Sequence, residues 1–563
     1  MPFESPHPPI DIPSKESIWS FFFDSAYSPL SASTASTPLA GYTDASTGAF
    51  LSYSDVKAKA TALSTALVCN HGFTPGDTVI LFSQNSIWYP VAMFGVLRAG
   101  GVVSGASPAY GVEEMEYALR TSGAKFLMTH PESLSVAVKA AEAVGLGREK
   151  VFLIEGEKEG FCGLQELIEE VKGQEEVEAW RGVRAKGNGN VCAFLSFSSG
   201  TTGLPKAVMI SHQNVIAQCL QMLVITPKDL DRVLAVLPLF HITGLVHILH
   251  LPILLNANVI MLPSFSMPTM LSTVVKYKIK ELLLVPPLLI RLVRDPIVAS
   301  YDLSHVTRFS SGAAPLSQEI LDLLQKKFPN TGFKQGYGMT ESCSCITGHP
   351  PSFYNYKYAH AVGQIMPSTS VKIIAEDGTE ASFNQPGEIL AKGPQITMGY
   401  LNNETATRDT YDDEGYLHTG DQGFISPKGL LTITDRIKEM IKVNGHAVAP
   451  AELEDLLLGH VAIEDVAVLG IPHPVSGEAP KAFIVLKPDT SATNSRQAIQ
   501  KMGNELLEFV KGKKIRYKWL AEIEFVEVIP KSPSGKILRR VLKDRAKKGE
   551  IGIVVKEATK AKL

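Results

Sequence analysis

Short, wholly apolar runs alternate with stretches of helical periodicity through the first half of the chain, and this alternation limits the possible folds more than any other feature. Thr78–Phe82 precedes a helical pattern over Ala92–Ala99, Lys125–Met128 and Val151–Ile154 follow, and Leu282–Val285 leads into a helical stretch from Pro287 to Arg294. A strand with no polar face must be covered on both sides, so the pattern predicts α/β layering with largely parallel strands. At 563 residues and 45% hydrophobic content the chain exceeds one core and can bury two or three. Near Leu430 the texture changes. A strand-like Leu430–Thr434 runs into the charged break Asp435–Glu439, and Pro450 then opens a helix ahead of strand-like runs at Val466–Gly470 and Ala482–Leu486. The expected organisation is a large N-terminal domain of layered α/β subdomains over residues 1–435, a small mobile α+β domain over 436–546, and a basic tail over 547–563.

The chemistry begins at Ser196–Lys206, which reads Ser-Phe-Ser-Ser-Gly-Thr-Thr-Gly-Leu-Pro-Lys. The apolar Val191–Leu195 before it predicts a buried strand, so the loop leaves a strand end, where nucleotide loops sit. Gly200 and Gly203 allow backbone N–H groups to turn inward as an anion nest. Ser198, Ser199, Thr201 and Thr202 add hydroxyl donors, and Lys206 adds a mobile positive charge. This composition suits the phosphates of ATP. It is not a Walker loop, because Leu204-Pro205 separates the second glycine from the lysine and Ala207 follows it.

A formal net charge of -3 offers nucleic acid no attraction, although residues 501–563 carry 17 Lys and Arg against 8 Asp and Glu. Six scattered cysteines, including the Cys343-x-Cys345 pair, have neither disulfide-framework nor zinc-site spacing and fit a reducing compartment. The first twenty residues hold several prolines and acids around no apolar segment, so no secretory signal is expected there. Pro238, His241, His247, His250, Pro252 and Asn256 interrupt the apolar stretch Val233–Leu262, which reads as buried strand and helix and not as a membrane span. The final Ala561-Lys562-Leu563 resembles the Ser-Lys-Leu address read by the peroxisomal import receptor, which predicts a peroxisomal location with the cytosol as the alternative.

Further along, Gly336-Tyr337-Gly338-Met339-Thr340-Glu341 combines close backbone approach, an aromatic face, a hydroxyl and a carboxylate. Tyr416–Asp421 ends in a carboxylate able to accept from both hydroxyls of a ribose, Arg436 offers a planar cation, and Pro530–Lys536 places a lysine on a Pro/Gly-rich loop. In this order, and with Pro238–His241, Ser311–Leu316, Gly363-Gln364, Gly387-Glu388 and Ala449–Glu454, these segments resemble the adenylate-forming superfamily. That superfamily holds acyl-CoA synthetases, peptide-synthetase adenylation domains and luciferases. The resemblance spans roughly residues 20 to 545 and is closest to the 4-coumarate:CoA ligase-like branch.

The resemblance implies ATP and coenzyme A as co-substrates, Mg2+ as cofactor, and roles for particular residues. The loop with Ser198, Ser199, Gly200, Thr201, Thr202, Gly203 and Lys206 would hold phosphates, Thr340 would meet the α-phosphate, and Glu341 would ligate the metal. Asp421 and Arg436 would hold the ribose, with adenine near Tyr337, Gly312 and Ala313. Lys536 would bridge carboxylate and α-phosphate, and rotation about a hinge at Lys438 would withdraw it and present Lys442 for thioester formation. Phe240, His241, Ser311, Gly312, Gly336 and Met339 would line the acyl pocket, with Ser310 and Ser342–Ile346 beside them and His241 as an aromatic gate.

Those short segments carry no lysine or arginine to pair with a second carboxylate and no acid besides Glu341, so they point to an aryl or medium-chain monocarboxylic acid. The expected reaction is ATP-dependent acid–CoA ligation. A luciferase-like monooxygenase, a stand-alone adenylation enzyme serving a carrier protein and a non-catalytic relative are the alternatives. Two positions depart from the family. Ala207 replaces a usual glycine and is tolerated unless positive φ is required, and Ala447 stands where relatives carry glutamine.

Overall fold

In the computed structural model the described residues are 1–31, 38–198, 204–312, 316, 318–444, 446–473, 476–488, 490, 495–531, 536–548 and 552–556. The chain forms a large N-terminal domain carrying four sheets and a smaller C-terminal domain built on a fifth.

The apolar runs become strands, as expected. Val151–Leu153, Phe126–Thr129, Thr78–Phe82, Val102–Ala106 and Cys192–Ser198 lie side by side in that order and parallel, and Lys206–Ser211 closes the edge antiparallel to Cys192–Ser198. All five residues of Thr78–Phe82 are buried, which is the mark of a strand with helices on both faces. A second layer repeats the arrangement: Glu281–Leu283, Arg308–Ser311 and Gly332–Met339 run parallel, then Ser344–Gly348 and Gln364–Ile365 turn back. A third sheet, of Arg232–Ala235, Asn258–Met261, Gly41–Asp44 and Phe50–Ser52, completes the layers. Between its first two strands, helical turns run from Ile242 to Leu255 and include a π segment at Leu245–His250.

The fourth sheet obeys the other rule of strand burial. Along Leu417–Ile425 buried and half-buried residues alternate strictly, because this antiparallel strand packs one face on the core and turns the other outward. Its neighbour Leu431–Arg436 ends where the charged break was read, and a single turn, Ile437–Glu439, connects it to the small domain. There Ile463–His473, Gly477–Leu486 and Glu522–Phe525 pack against the helices Pro450–Leu458 and Arg496–Lys511 around their own core. One expectation needs correction. Within the segment read as a basic tail, Ile553–Lys556 is an edge strand on Glu522–Phe525, since Val555 completes the core of the small domain.

Among the described residues no helix is long and apolar enough to cross a membrane.

Candidate active site

The C-terminal ends of Val102–Ala106, Cys192–Ser198, Glu281–Leu283, Arg308–Ser311 and Gly332–Met339 border one cavity of about 760 Å³, the place where open α/β sheets bind ligands. Ser198 and Lys206 sit opposite each other across the antiparallel edge, so they form the two posts of the intervening loop, and both line the cavity. Ser199, Gly200, Thr201, Thr202, Gly203 and Ala313 lie outside the described residues. Ala207 is a strand residue with no positive φ, which is why a methyl group costs nothing there.

Glu341 is held from three sides. The hydroxyls of Ser198 and Tyr400 both donate to its Oε1 at 2.9 Å, and the backbone N–H and hydroxyl of Thr397 donate to its carbonyl at 3.0 Å. Lys206 Nζ rests 4.6 Å from the centre of the Tyr400 ring. No group of three or more His, Cys, Asp or Glu able to hold a metal occurs among the described residues. A divalent ion here would therefore take Glu341 and fill its shell with phosphate oxygens and water, which is the habit of magnesium and fits this donor set.

Asp421 and Arg436 are cross-strand partners, so the antiparallel register itself brings carboxylate and guanidinium together, with Nε 3.4 Å from Oδ1. The Tyr337 hydroxyl donates to the other oxygen at 2.8 Å. Burial pushes the Asp421 carboxyl above its ordinary range, and Arg436 and Tyr337 oppose that shift. Lys536 lines the same cavity from the small domain, beside Arg436, Glu439, Asp421 and Glu341. Its burial, aided by Arg436, lowers its ammonium to about 8, and the three carboxylates hold it from falling further.

The acyl side is built by close approaches. A side chain on Gly105 would meet the Phe240 Cβ at 2.8 Å, so only glycine lets the Pro238–His241 segment seat itself against the first sheet. His241 packs on Phe240 with ring centres 4.6 Å apart, and burial lowers its imidazole to about 4, leaving it neutral with Nε2 unpartnered among the described residues. Ser310, Ser311, Gly312, Gly336, Met339 and Thr340 complete this wall. Cys343 and Ser344 both take positive φ, at 47° and 101°, a strain of about 1–3 kcal/mol each. This bend sets the Ser344 hydroxyl 3.0 Å from His247 Nε2 on the cavity wall.

Most of the expected residues thus converge. Two residues and one reading do not stand quite as expected. Tyr337 reaches the site through Asp421 and does not itself line the cavity. Lys442 is exposed on the strand Ile441–Val443, away from the cavity, while Lys438 lines it from the connecting turn. The reading of a pocket wall free of lysine, arginine and further acids holds for the short segments but not for the pocket. Arg232, Glu281, Lys334 and His247 line it as well, from strand starts and a helical turn outside those segments. Lys334 was legible in principle, since period-two alternation puts it on the same strand face as Gly336 and Gly338. Tyr400 and Thr397, which orient Glu341, carry no sequence signal of their own.

The family comparisons agree with this geometry. The AMP-binding enzyme family matches residues 34–401, and the AMP-binding enzyme C-terminal domain matches residues 452–536. The chain is 34% identical over 558 residues to 4-coumarate–CoA ligase-like 1 of Arabidopsis thaliana, covering 96% of each protein. It also resembles o-succinylbenzoate CoA synthetase from Bacillus subtilis in complex with its acyl-adenylate intermediate, at 26% identity and a TM-score of 0.75, covering 93% of this chain and 96% of that one. The ATP and magnesium complex of that synthetase aligns at 25% identity and a TM-score of 0.74, covering 91% and 98%. The site, the two matched domains and a relative similar over nearly its whole length lead to one conclusion: the chain belongs to the AMP-binding enzyme family.

Proposed function

We propose that the protein is an AMP-forming acid–CoA ligase that activates an aryl or medium-chain monocarboxylic acid. The observation that carries this reading is Lys536 of the small domain, buried in one cavity with Asp421, Arg436, Glu341 and the pocket walled by His241. Attack of a carboxylate on the α-phosphorus of ATP brings two anions together, and a desolvated ammonium at that point stabilises the charge of the transition state. Thr340 stands beside Glu341 to orient the α-phosphate, and Asp421, aligned by Tyr337 and Arg436, accepts from the ribose hydroxyls. Ser198 and Lys206 flank the β- and γ-phosphates. Magnesium bound at Glu341 supplies charge neutralisation for the leaving pyrophosphate.

Lys536 occupies the cavity from which a thiol must reach the acyl carbonyl, so the second half-reaction needs the small domain to turn. The turn Ile437–Glu439 is the single connection between the domains, and rotation at Lys438 withdraws Lys536 and swings Lys442 inward. The neutral His241 then borders the path of the thiol. The reading is tested by incubating the protein with ATP, magnesium and panels of aryl and aliphatic acids, with and without coenzyme A. Acyl-CoA identified by mass supports it; pyrophosphate release that never leads to thioester counts against the CoA step.

The C-terminal tripeptide Ala561-Lys562-Leu563 lies outside the described residues, and we propose from its sequence that it directs the enzyme to peroxisomes. Deleting it should move a fluorescent fusion from punctate organelles to the cytosol, and an unchanged pattern would refute the address.

A further inference from the structure

One helix of the small domain, Pro450–Leu458, depends on the large domain at both of its ends. The residue before it is Ala449, whose side chain has no oxygen to cap the first turn, and its last turn holds no basic residue. Glu452 in the first turn is already taken by Lys514 and Lys518, at 2.7 and 2.6 Å. A helix carries roughly half a positive charge at its N-terminus and half a negative charge at its C-terminus, with unmet backbone groups at each. Both are answered from across the hinge. At the N-terminus the Ala451 N–H donates to Asp435 Oδ2 at 3.3 Å, and Asp435 is a buried residue of Leu431–Arg436, ahead of the connecting turn. At the C-terminus Arg294 Nη2 lies 3.5 Å from the Leu458 carbonyl oxygen, and Arg294 ends the helix Pro286–Arg294 of the second layer.

The signs match, with an anion at the positive end and a cation at the negative end. Burial pushes the Asp435 carboxyl up to about 6, against the N–H groups of Arg436 and Ala451 and the charge of Arg539, so it is an anion at neutral pH. Glu439 and Glu454 are the other charged groups facing it. Neither Asp435 nor Arg294 lines the cavity. Together they favour one placement of the helix, and in that placement Lys536 does line the cavity. Rotation at Lys438 breaks both contacts, because both residues precede the hinge in the chain. Glu319 makes the release reversible. Its Oε1 lies 3.5 Å from Arg294 Nη2, and its Oε2 is buried with no partner among the described residues, so Arg294 keeps a counter-charge when the helix leaves.

We propose that Asp435 and Arg294 are positioning residues for adenylation, which hold the two ends of Pro450–Leu458 and so keep the small domain where Lys536 is inserted. The inference rests on the ligase reading and its turning domain. It is tested on the full-length protein at neutral pH with 4-coumaric acid as an aryl probe and hexanoic acid as a medium-chain probe. Single-turnover pyrophosphate release reads adenylation, and conversion of each synthetic adenylate with coenzyme A reads thioester formation. In Arg294→Met and in Asp435→Asn the ratio of adenylation rate to thioester rate should fall about threefold or more below that of the wild type. Arg294→Lys, which keeps a cation at the helix end, should restore most of the ratio. Should Asp435→Asn fail to fold, the half-buried Arg294 decides through its two variants. An unchanged or raised ratio, including equal loss in both half-reactions, overturns the inference and leaves the ligase reading intact. A wild type that makes thioester from neither adenylate overturns the ligase reading itself.

Discussion

In the proposed reaction Lys536 works only as an ammonium, and its surroundings set the pH at which that form is lost. Burial lowers its pKa from the ordinary lysine value to about 8, so the charged form dominates below that pH and disappears as pH rises through it. Adenylate formation should therefore fall on the alkaline side of about pH 8, and Lys536→Arg, which stays charged, should remove the alkaline fall even if its rate is lower. Single-turnover pyrophosphate release across neutral and mildly alkaline buffers checks this; an unmoved alkaline limb in the arginine variant would assign it to another group. Lys536→Ala should lower adenylation about 100-fold or more while thioester formation from supplied acyl-adenylate stays largely intact, and equal loss of both would end the two-state mechanism. His241, held at about 4, contributes no titration near neutrality. At this scale the sequence was most legible, because Ser198, Lys206, Thr340, Glu341, Asp421, Arg436 and Lys536 stand in short segments whose residue types declare their chemistry. Glu281 was not, since a charged residue beside an apolar run looks the same whether it faces solvent or a pocket; Lys334 was legible only through the period-two alternation of its strand.

Strands set the site's tolerances. Gly338 faces Ser344 so closely that an added Cβ would lie 1.5 Å from the Ser344 carbonyl oxygen, at a register shift between Gly332–Met339 and Ser344–Gly348. Gly338→Ala should cost about 1–3 kcal/mol or more, lower the melting temperature and weaken binding of acyl-adenylate mimics, because the displaced strand carries Met339 and Thr340. Ala207 makes the opposite case. It has ordinary strand geometry, so Ala207→Gly should restore nothing and cost roughly 0.5–1 kcal/mol in backbone entropy, read as a small drop in melting temperature. The elements themselves were readable wherever burial left a simple pattern, as in Thr78–Phe82 and Pro450–Leu458. Ile553–Lys556 was missed because its Lys-rich neighbours outweigh a short apolar run, and only pairing with Glu522–Phe525 makes it a strand.

At the scale of the whole molecule, Arg539 ties the small domain to the connecting turn. Its guanidinium lies 2.8 Å from Glu439 and 2.6 Å from Glu454, three residues along from Lys536. Arg539→Met would take this guanidinium from the half-buried Glu454 and leave Glu439 only the longer contact to Arg436, 3.8 Å away, at a cost of about 3 kcal/mol, much of it in the arrangement that inserts Lys536. Adenylation should then fall about tenfold or more, with a smaller effect on thioester formation from supplied adenylate; an equal effect on both half-reactions would show that Arg539 merely supports folding. The sequence by itself determined the α/β layering, the break near Asp435, the family and most of the residues that line the cavity, because each is written in local pattern or in a contiguous motif. Only the tertiary structure decided that Asp421 meets Arg436, that Tyr400 and Thr397 orient Glu341, and that Lys334 and Glu281 close the acyl pocket. Those are contacts between segments remote in the chain, and strand register and packing bring them together, which no local window of residues encodes.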